Sequence, residues 1–269
     1  MKSKPIGIIV YDGPSLLDGQ PIVAIATGVF STKSSKNDKL GNMVQIFIIK
    51  KNVPPIFSIT DVCRQSKRYS DKSVCGDCKH RDLGSCYVDI SKSPNEVFHA
   101  FCNNRYEYLN ENNVKAFENK FVRIGAYGDP AAIPFYIWAK ISVISNGITA
   151  YTHQWNNPNI DNNLKNVCMA SCDTEKEYFK AKELGWRTFR IRLSDNDTVF
   201  EDEFICPASK EAGNKSECVK CLACMGLSSK IKKNPCIVIH GTKIKIDKFI
   251  KGIKKIKNKK KWKKYKNIV

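Results

Sequence analysis

The sequence predicts an α/β fold, in its most specific form a partial or complete parallel β/α barrel with an N-terminal β subdomain and two cysteine-rich metal-binding loops. Three observations carry this. Short runs rich in β-branched residues recur roughly every twenty to twenty-five residues in the second half. Amphipathic segments separate most of them, the rhythm of a parallel sheet with crossover helices. Twelve cysteines gather mostly in two groups beside those runs. A doubly wound open sheet is the competing arrangement.

Residues 6–10 (IGIIV), 22–30 (IVAIATGVF) and 44–50 (VQIFIIK) read as strands bounded by Gly, Asn and Pro. STKSSKNDKLGN between the last two reads as a long hairpin loop. A cysteine-bearing stretch from Cys63 to Cys86 follows, then a helix from Pro94 to about Tyr106 with Pro94 in its first turn. VRIGAYGDP, ITAYTHQW, VCMASCD, WRTFRIR, EFICP and CIVIHG are short buried strands with their trailing residues. AAIPFYIWAKISVISN, NIDNNLKN and TEKEYFKAKELG lie between the first four. The last of these carries Thr174 as N-cap, Glu177 as capping-box partner and Gly185 as stop. The expected division is 1–60 (β subdomain), 61–242 (cysteine-bearing β/α domain) and 243–269 (basic tail).

Of the formal charge of +19, ten lysines and no acids fall in residues 251–269, leaving +9 on the rest. Lys259, Lys260, Lys261, Lys263 and Lys264, with Trp262 and Tyr265 interleaved, suit a phosphate backbone and its bases. A solvated or localising tail and a basic amphipathic helix at a membrane surface compete with that reading. No run of eighteen apolar residues is present, so no membrane span is expected. The apolar opening is too short for a signal peptide and Asp12 interrupts it. Together these predict a cytoplasmic protein.

In parallel α/β folds the working site lies at the carboxyl ends of the strands. There the sequence places Asp129, His153, Gln154, Asp173, Cys206 and His240. Asp129, His153 and His240 are the candidate catalytic residues, as proton carriers. Arg190 and Arg192 are candidate phosphate ligands, and Asp173, directly before Thr174, reads as a helix cap.

Twelve cysteines in a reducing compartment argue for metal or redox chemistry rather than disulfides. Cys206, Cys218, Cys221 and Cys224 have the spacing C-x11-C-x2-C-x2-C. A central cysteine with neighbours on both sides suits a [4Fe–4S] cluster, each thiolate on its own iron, and zinc is the alternative. Cys75, Cys78 and Cys86 form the earlier group, with Cys63 or His80 as fourth ligand and zinc or a second cluster as occupant. The two centres are expected on either side of the β/α repeats. Cys102, Cys168 and Cys236 read as isolated buried thiols.

VCGDCKHR, GSCYV, RIGAYGDP, AYTHQW, MASCD and CPASKEAG followed by CVKCLAC together resemble a cysteine-rich family encoded by many bacteriophages, over about residues 20–242. The resemblance implies a phage origin, a host-cytoplasm location and an iron–sulfur or zinc protein; it implies no reaction. A looser likeness is to radical S-adenosylmethionine enzymes, which also set a cluster at the mouth of a β/α barrel. Their C-x3-C-x2-C ligand run is absent: Cys168-x3-Cys172 has no third cysteine. The functional expectations are an iron–sulfur protein acting on nucleic acid or nucleotides, a zinc-stapled nucleic-acid-binding module, an adenosylmethionine-like enzyme, or a factor binding a host protein.

Overall fold

The computed structural model describes residues 4–31, 40–58 and 71–266, the side chains of 58 and 255–266 excepted. Eleven strands and seven α-helices fall among these residues. Cys63 lies outside them. So do the side chains of Lys259, Lys260, Lys261, Trp262, Lys263, Lys264 and Tyr265.

The strands are β1 (Gly7–Pro14), β2 (Pro21–Thr27), β3 (Met43–Lys50), β4 (Glu107–Tyr108), β5 (Phe121–Tyr127), β6 (Gly147–Thr149), β7 (Tyr151–Thr152), β8 (Met169–Cys172), β9 (Thr188–Arg192), β10 (Glu203–Ile205) and β11 (Asn234–Val238). The helices are α1 (Lys72–Cys75), α2 (Lys79–Leu83), α3 (Ser93–Cys102), α4 (Phe135–Ile144), α5 (Glu175–Glu183), α6 (Cys218–Cys221) and α7 (Lys243–Lys266).

Two sheets form, a six-stranded one in the order β4-β1-β2-β3-β5-β6 and a five-stranded one in the order β10-β11-β9-β8-β7. β1, β2 and β3 pair antiparallel, so the N-terminal strands form a meander. β4 on β1, β5 on β3 and β6 on β5 are parallel, as is every pair of the second sheet. β6 and β7 are separated by Ala150 alone, so one stretch of chain supplies an edge strand to each sheet. The fold is therefore mixed α/β with mostly parallel sheets. Neither sheet is closed into a barrel. β4, of two residues, and β10, of three, remain as outer edges. β11 inserts between β9 and β10, so the last strands depart from sequence order.

β2 shows why the meander holds its place in the sheet: Ile22 to Ala26 are all buried, the continuous apolar run of a strand covered on both faces. α4 buries Ile137, Trp138 and Ile141, spaced for one helix face. The Trp138 indole N–H donates to the Pro130 carbonyl at 3.0 Å, which satisfies its polar edge. α3 starts at Ser93 with Pro94 in its first turn. In α5 the Thr174 hydroxyl accepts from the Glu177 N–H at 3.2 Å. The Glu177 carboxylate accepts from the N–H of Asp173 rather than Thr174, at 2.7 Å. Gly185 then ends the segment at φ +78°.

α7 begins inside the fold. Phe249 and Ile253 are 2% and 4% exposed. A Cβ on Gly252 would meet Leu83 of α2 at 2.4 Å. The opening of the basic tail is thus part of the packed structure. No helix among the described residues is long and apolar enough to cross a membrane.

Candidate metal-binding cavity

Side chains alternate across a strand, so every second residue shares a face. Arg123, Gly125 and Tyr127 of β5, Thr149 and Tyr151 of β6–β7, Ser171 of β8, Phe189 and Ile191 of β9, Phe204 of β10 and Pro235 and Ile237 of β11 keep that parity. All of them line one cavity of about 1260 Å³, which draws its wall from both sheets. The same parity carries β5, β7 and β10 onward to Asp129, His153 and Cys206, which line the cavity, and β11 onward to Ile239; His240, one residue out of that parity, lines the cavity too.

The parity also corrects one expectation. With Phe189 and Ile191 facing the cavity, Arg190 and Arg192 point to the opposite side, where they are 2% and 1% exposed. Arg190 Nε and Nη2 donate to Glu203 at 2.8 and 2.5 Å, and its guanidinium lies 4.4 Å from the Phe200 ring centre. Arg192 pairs with Glu211 and donates to the carbonyl of Asp197 at 3.0 Å. These are interior ion pairs, so neither arginine is presented to a phosphate.

The later cysteines reach the cavity from two directions. Cys206 follows β10, its N–H donating to the Cys236 carbonyl at 2.8 Å. Cys218 and Cys221 bound α6, and Leu222 at φ +50° turns the chain so that Cys224 comes next. The loop is pinned by Ala150 N–H to the Cys224 carbonyl at 3.3 Å. Arg187 fixes it too, donating to the carbonyls of Ala223 and Gly226 at 2.8 and 3.1 Å. Gly226, at φ +55°, is required there, since a Cβ would meet the Lys165 carbonyl oxygen at 2.4 Å. Burial pushes the Cys224 thiol up, and charge on Cys206, Cys218 and Cys221 adds to that; a hydrogen bond from Tyr151 opposes it. All four cysteines line the cavity.

Cys75, Cys78 and Cys86 line it as well, so both cysteine groups open on one space rather than lying on either side of the repeats. Gln154, beyond β7, donates to the Cys75 carbonyl at 3.2 Å. Burial pushes the Cys78 thiol up to about 12, against a hydrogen bond from the His80 backbone. Of the cysteines read as isolated buried thiols, Cys168 and Cys236 are fully buried and Cys102 is exposed.

His80 does not join the cysteines. Its Nε2 lies 3.1 Å from each Asp173 carboxylate oxygen and its Nδ1 3.0 Å from the Ser85 hydroxyl. Among the described residues, His80, His153 and Asp173 bring one ligand atom each within 4.8 Å of one another. Lys79 sits 2.9 Å from Asp173 and 2.8 Å from Glu177. Burial pushes Asp173 up, yet the His80 hydrogen bond and the charges of His80, His153 and Lys79 leave it well below the usual carboxylate range. Burial pushes His153 down to about 4, so it is neutral at neutral pH. Thr174 is the cap of α5; the Asp173 side chain is spent on His80 and Lys79, which corrects its reading as a helix cap.

The three expected proton carriers do not form one group. Asp129 accepts from Ala131 N–H at 3.0 Å, the Thr152 hydroxyl at 2.7 Å and His153 N–H at 2.8 Å, so it holds the β7 end in place. Burial pushes it up to about 6, with those hydrogen bonds opposing. His240 lies exposed at the rim, its Nδ1 3.4 Å from the Val238 carbonyl. Lys79, Tyr151 and Phe249 escaped the sequence reading, and Asp173 was placed at its strand end without its pairing with His80. Parity with Ser171 pointed to Asp173, and parity with His153 to Tyr151; nothing local pointed to the other two.

No family model, curated protein or solved structure matches the chain. What the cavity takes follows from the residues that line it.

Proposed function

We propose that this chain is an iron–sulfur protein in which Cys206, Cys218, Cys221 and Cys224 hold a [4Fe–4S] cluster on the wall of the cavity, beside a bound nucleotide or nucleic-acid end. The observation that carries the first half is the delivery of four cysteines, from a strand end and a separate loop, to one stretch of cavity wall. Cys221 stands between Cys218 and Cys224, three residues from each, and such a run with a separate Cys206 suits a cubane, in which each thiolate binds a different iron. The bound cluster would supply electron transfer or Lewis acidity, and the chain supplies its setting. Tyr151 hydrogen-bonds Cys224, and Arg187 and Ala150 fix the loop backbone.

The ligand class rests on the cavity lining. Lys92, Arg123, Lys210 and Lys245 line it against one acid among the described residues, Asp129, and Tyr87, Phe189 and Phe204 offer aromatic faces. A basic, aromatic cavity, larger than most ligand sites, favours an anion with a planar ring. Cys75, Cys78 and Cys86 are assigned a second centre, zinc or cluster.

Iron, zinc and acid-labile sulfide content, with an absorption spectrum of anaerobically prepared protein, tests this. A brown protein that loses near four irons and four sulfides per chain in Cys221→Ser is the expected result. A colourless protein carrying zinc at these cysteines overturns it.

A further inference from the structure

The side chains of His80, His153 and Asp173 come from α2, from the end of β7 and from the end of β8, far apart in sequence and within 4.8 Å of one another at their ligand atoms. Nitrogen and oxygen ligands sit about 2.0–2.2 Å from a divalent transition-metal ion, which places neighbouring ligand atoms about 2.8–3.1 Å apart in an octahedron and about 3.3–3.6 Å in a tetrahedron. His80 Nε2 and the Asp173 oxygens stand at 3.1 Å. We infer that His80, His153 and Asp173 form a site for one divalent transition-metal ion, separate from the thiolate centres.

The protons allow it. With Nε2 facing a carboxylate, the neutral tautomer that suits a metal-free His80 has its proton on Nε2 and accepts from the Ser85 hydroxyl at Nδ1. A metal on Nε2 moves the proton to Nδ1, which then donates to the same hydroxyl. Serine serves either tautomer, because its hydroxyl both donates and accepts. His153 is held by its backbone N–H on Asp129, 2.8 Å away, and its ring meets the His80 ring edge-on with centres 5.0 Å apart.

The charges allow it too. Lys79 lies against Asp173 Oδ2, at 2.9 Å, and Oδ1 faces His80 Nε2 at 3.1 Å. Glu177 shares that ammonium at 2.8 Å, so the two carboxylates exceed the lysine by one negative charge. A chain of formal charge +19 thus keeps a locally acidic spot under two imidazoles. Phe249 closes the back of the His80 ring, stacked at 5.2 Å.

Two imidazoles and one carboxylate, without sulfur, suit Fe2+, Mn2+ or Zn2+. Three protein ligands leave coordination positions unfilled, as at catalytic rather than structural sites. His153 lines the cavity and is half-buried, so those positions face the space where the ligand would lie.

Mn2+ distinguishes this site from the cysteines, since thiolate is a poor ligand for it. Full-length protein is titrated anaerobically with Mn2+, and free ion is read by paramagnetic resonance. One Mn2+ per chain is expected to bind saturably below millimolar concentration. Affinity should fall about tenfold or more in His153→Gln and in Asp173→Asn, and persist in Cys221→Ser. His153 is half-buried, so His153→Gln is expected to melt with the parent and isolates ligation from folding. Absence of saturable Mn2+ binding in the parent overturns the assignment. Unchanged affinity in His153→Gln, or equal loss in Cys221→Ser, overturns it as well.

Discussion

Phe249 lies flat on His80, ring centres 5.2 Å apart and planes 6° from parallel. A helix that opens the lysine-rich tail thereby supports a residue of the cavity. Phe249 is 2% exposed. Truncation of a buried phenylalanine costs about 3–5 kcal/mol. Phe249→Ala is therefore expected to lower urea stability by about that amount, measured by far-UV circular dichroism. Removal of residues 255–269 keeps the Phe249 contact and deletes most of the lysine block. Its expected effect is a shallower salt dependence of binding to a nucleic-acid duplex, since counterion release scales with the cations engaged.

Arg190 and Glu203 make a prediction of the opposite kind. Both side chains are almost wholly buried and joined by two hydrogen bonds. Removing one partner of such a pair strands the other charge and costs about 3–5 kcal/mol. Arg190→Ala is expected to destabilise by that order in a denaturant titration, while nucleic-acid affinity at fixed salt stays at the parent value. A selective loss of affinity in a stably folded variant would return Arg190 to the binding surface.

The contrast between Arg190 and Phe249 shows what the chain discloses of itself. The strands were legible because β-branched runs such as IIV and VAIAT are local signals, and β1, β2, β3, β5, β8 and β9 lie where those runs lie. The cap of α5 was legible for the same reason: Thr174 and Glu177 are three residues apart. The facing of Arg190 was written in the alternation TFRIR, but reading it required knowing which face was the cavity. Sheet order was hidden, because nothing local states that β11 inserts between β9 and β10. The pairing of His80 with Asp173 spans 93 residues and depends on two loops meeting, so composition and spacing were silent. Those spacings did bring Cys206 and the Cys218–Cys224 loop under suspicion, and both line the same cavity.

Tyr151 bears on the proposed cluster. Its hydroxyl is hydrogen-bonded to Cys224, and burial with the charges of Cys224 and Cys218 pushes its own ionisation well up, so it remains a donor. Hydrogen bonds to cluster sulfurs favour the more negative, reduced state. Tyr151→Phe is expected to keep iron and sulfide content and to lower the midpoint potential in a spectroscopic redox titration. An unchanged potential with full cluster content would place the cluster away from Cys224.

Asp202 ties α5 to the strands behind it. It accepts from Lys182 at 2.6 Å, from Asn234 at 3.1 Å and from the Tyr178 hydroxyl. Burial raises its ionisation, and the lysine and tyrosine hydrogen bonds outweigh that and leave it lowered. A carboxyl with a lower value in the folded chain binds its proton more readily when unfolded. Its contribution is therefore complete above the unfolded value, about 3.9, and fades as pH falls from there through the folded one. Asp202→Asn removes this dependence, so parent and variant should differ most in Tm near neutral pH and converge in acid. The check is a set of thermal melts from pH 7 down to pH 3. A gap that stays constant over that range would mean that Asp202 acts through packing alone.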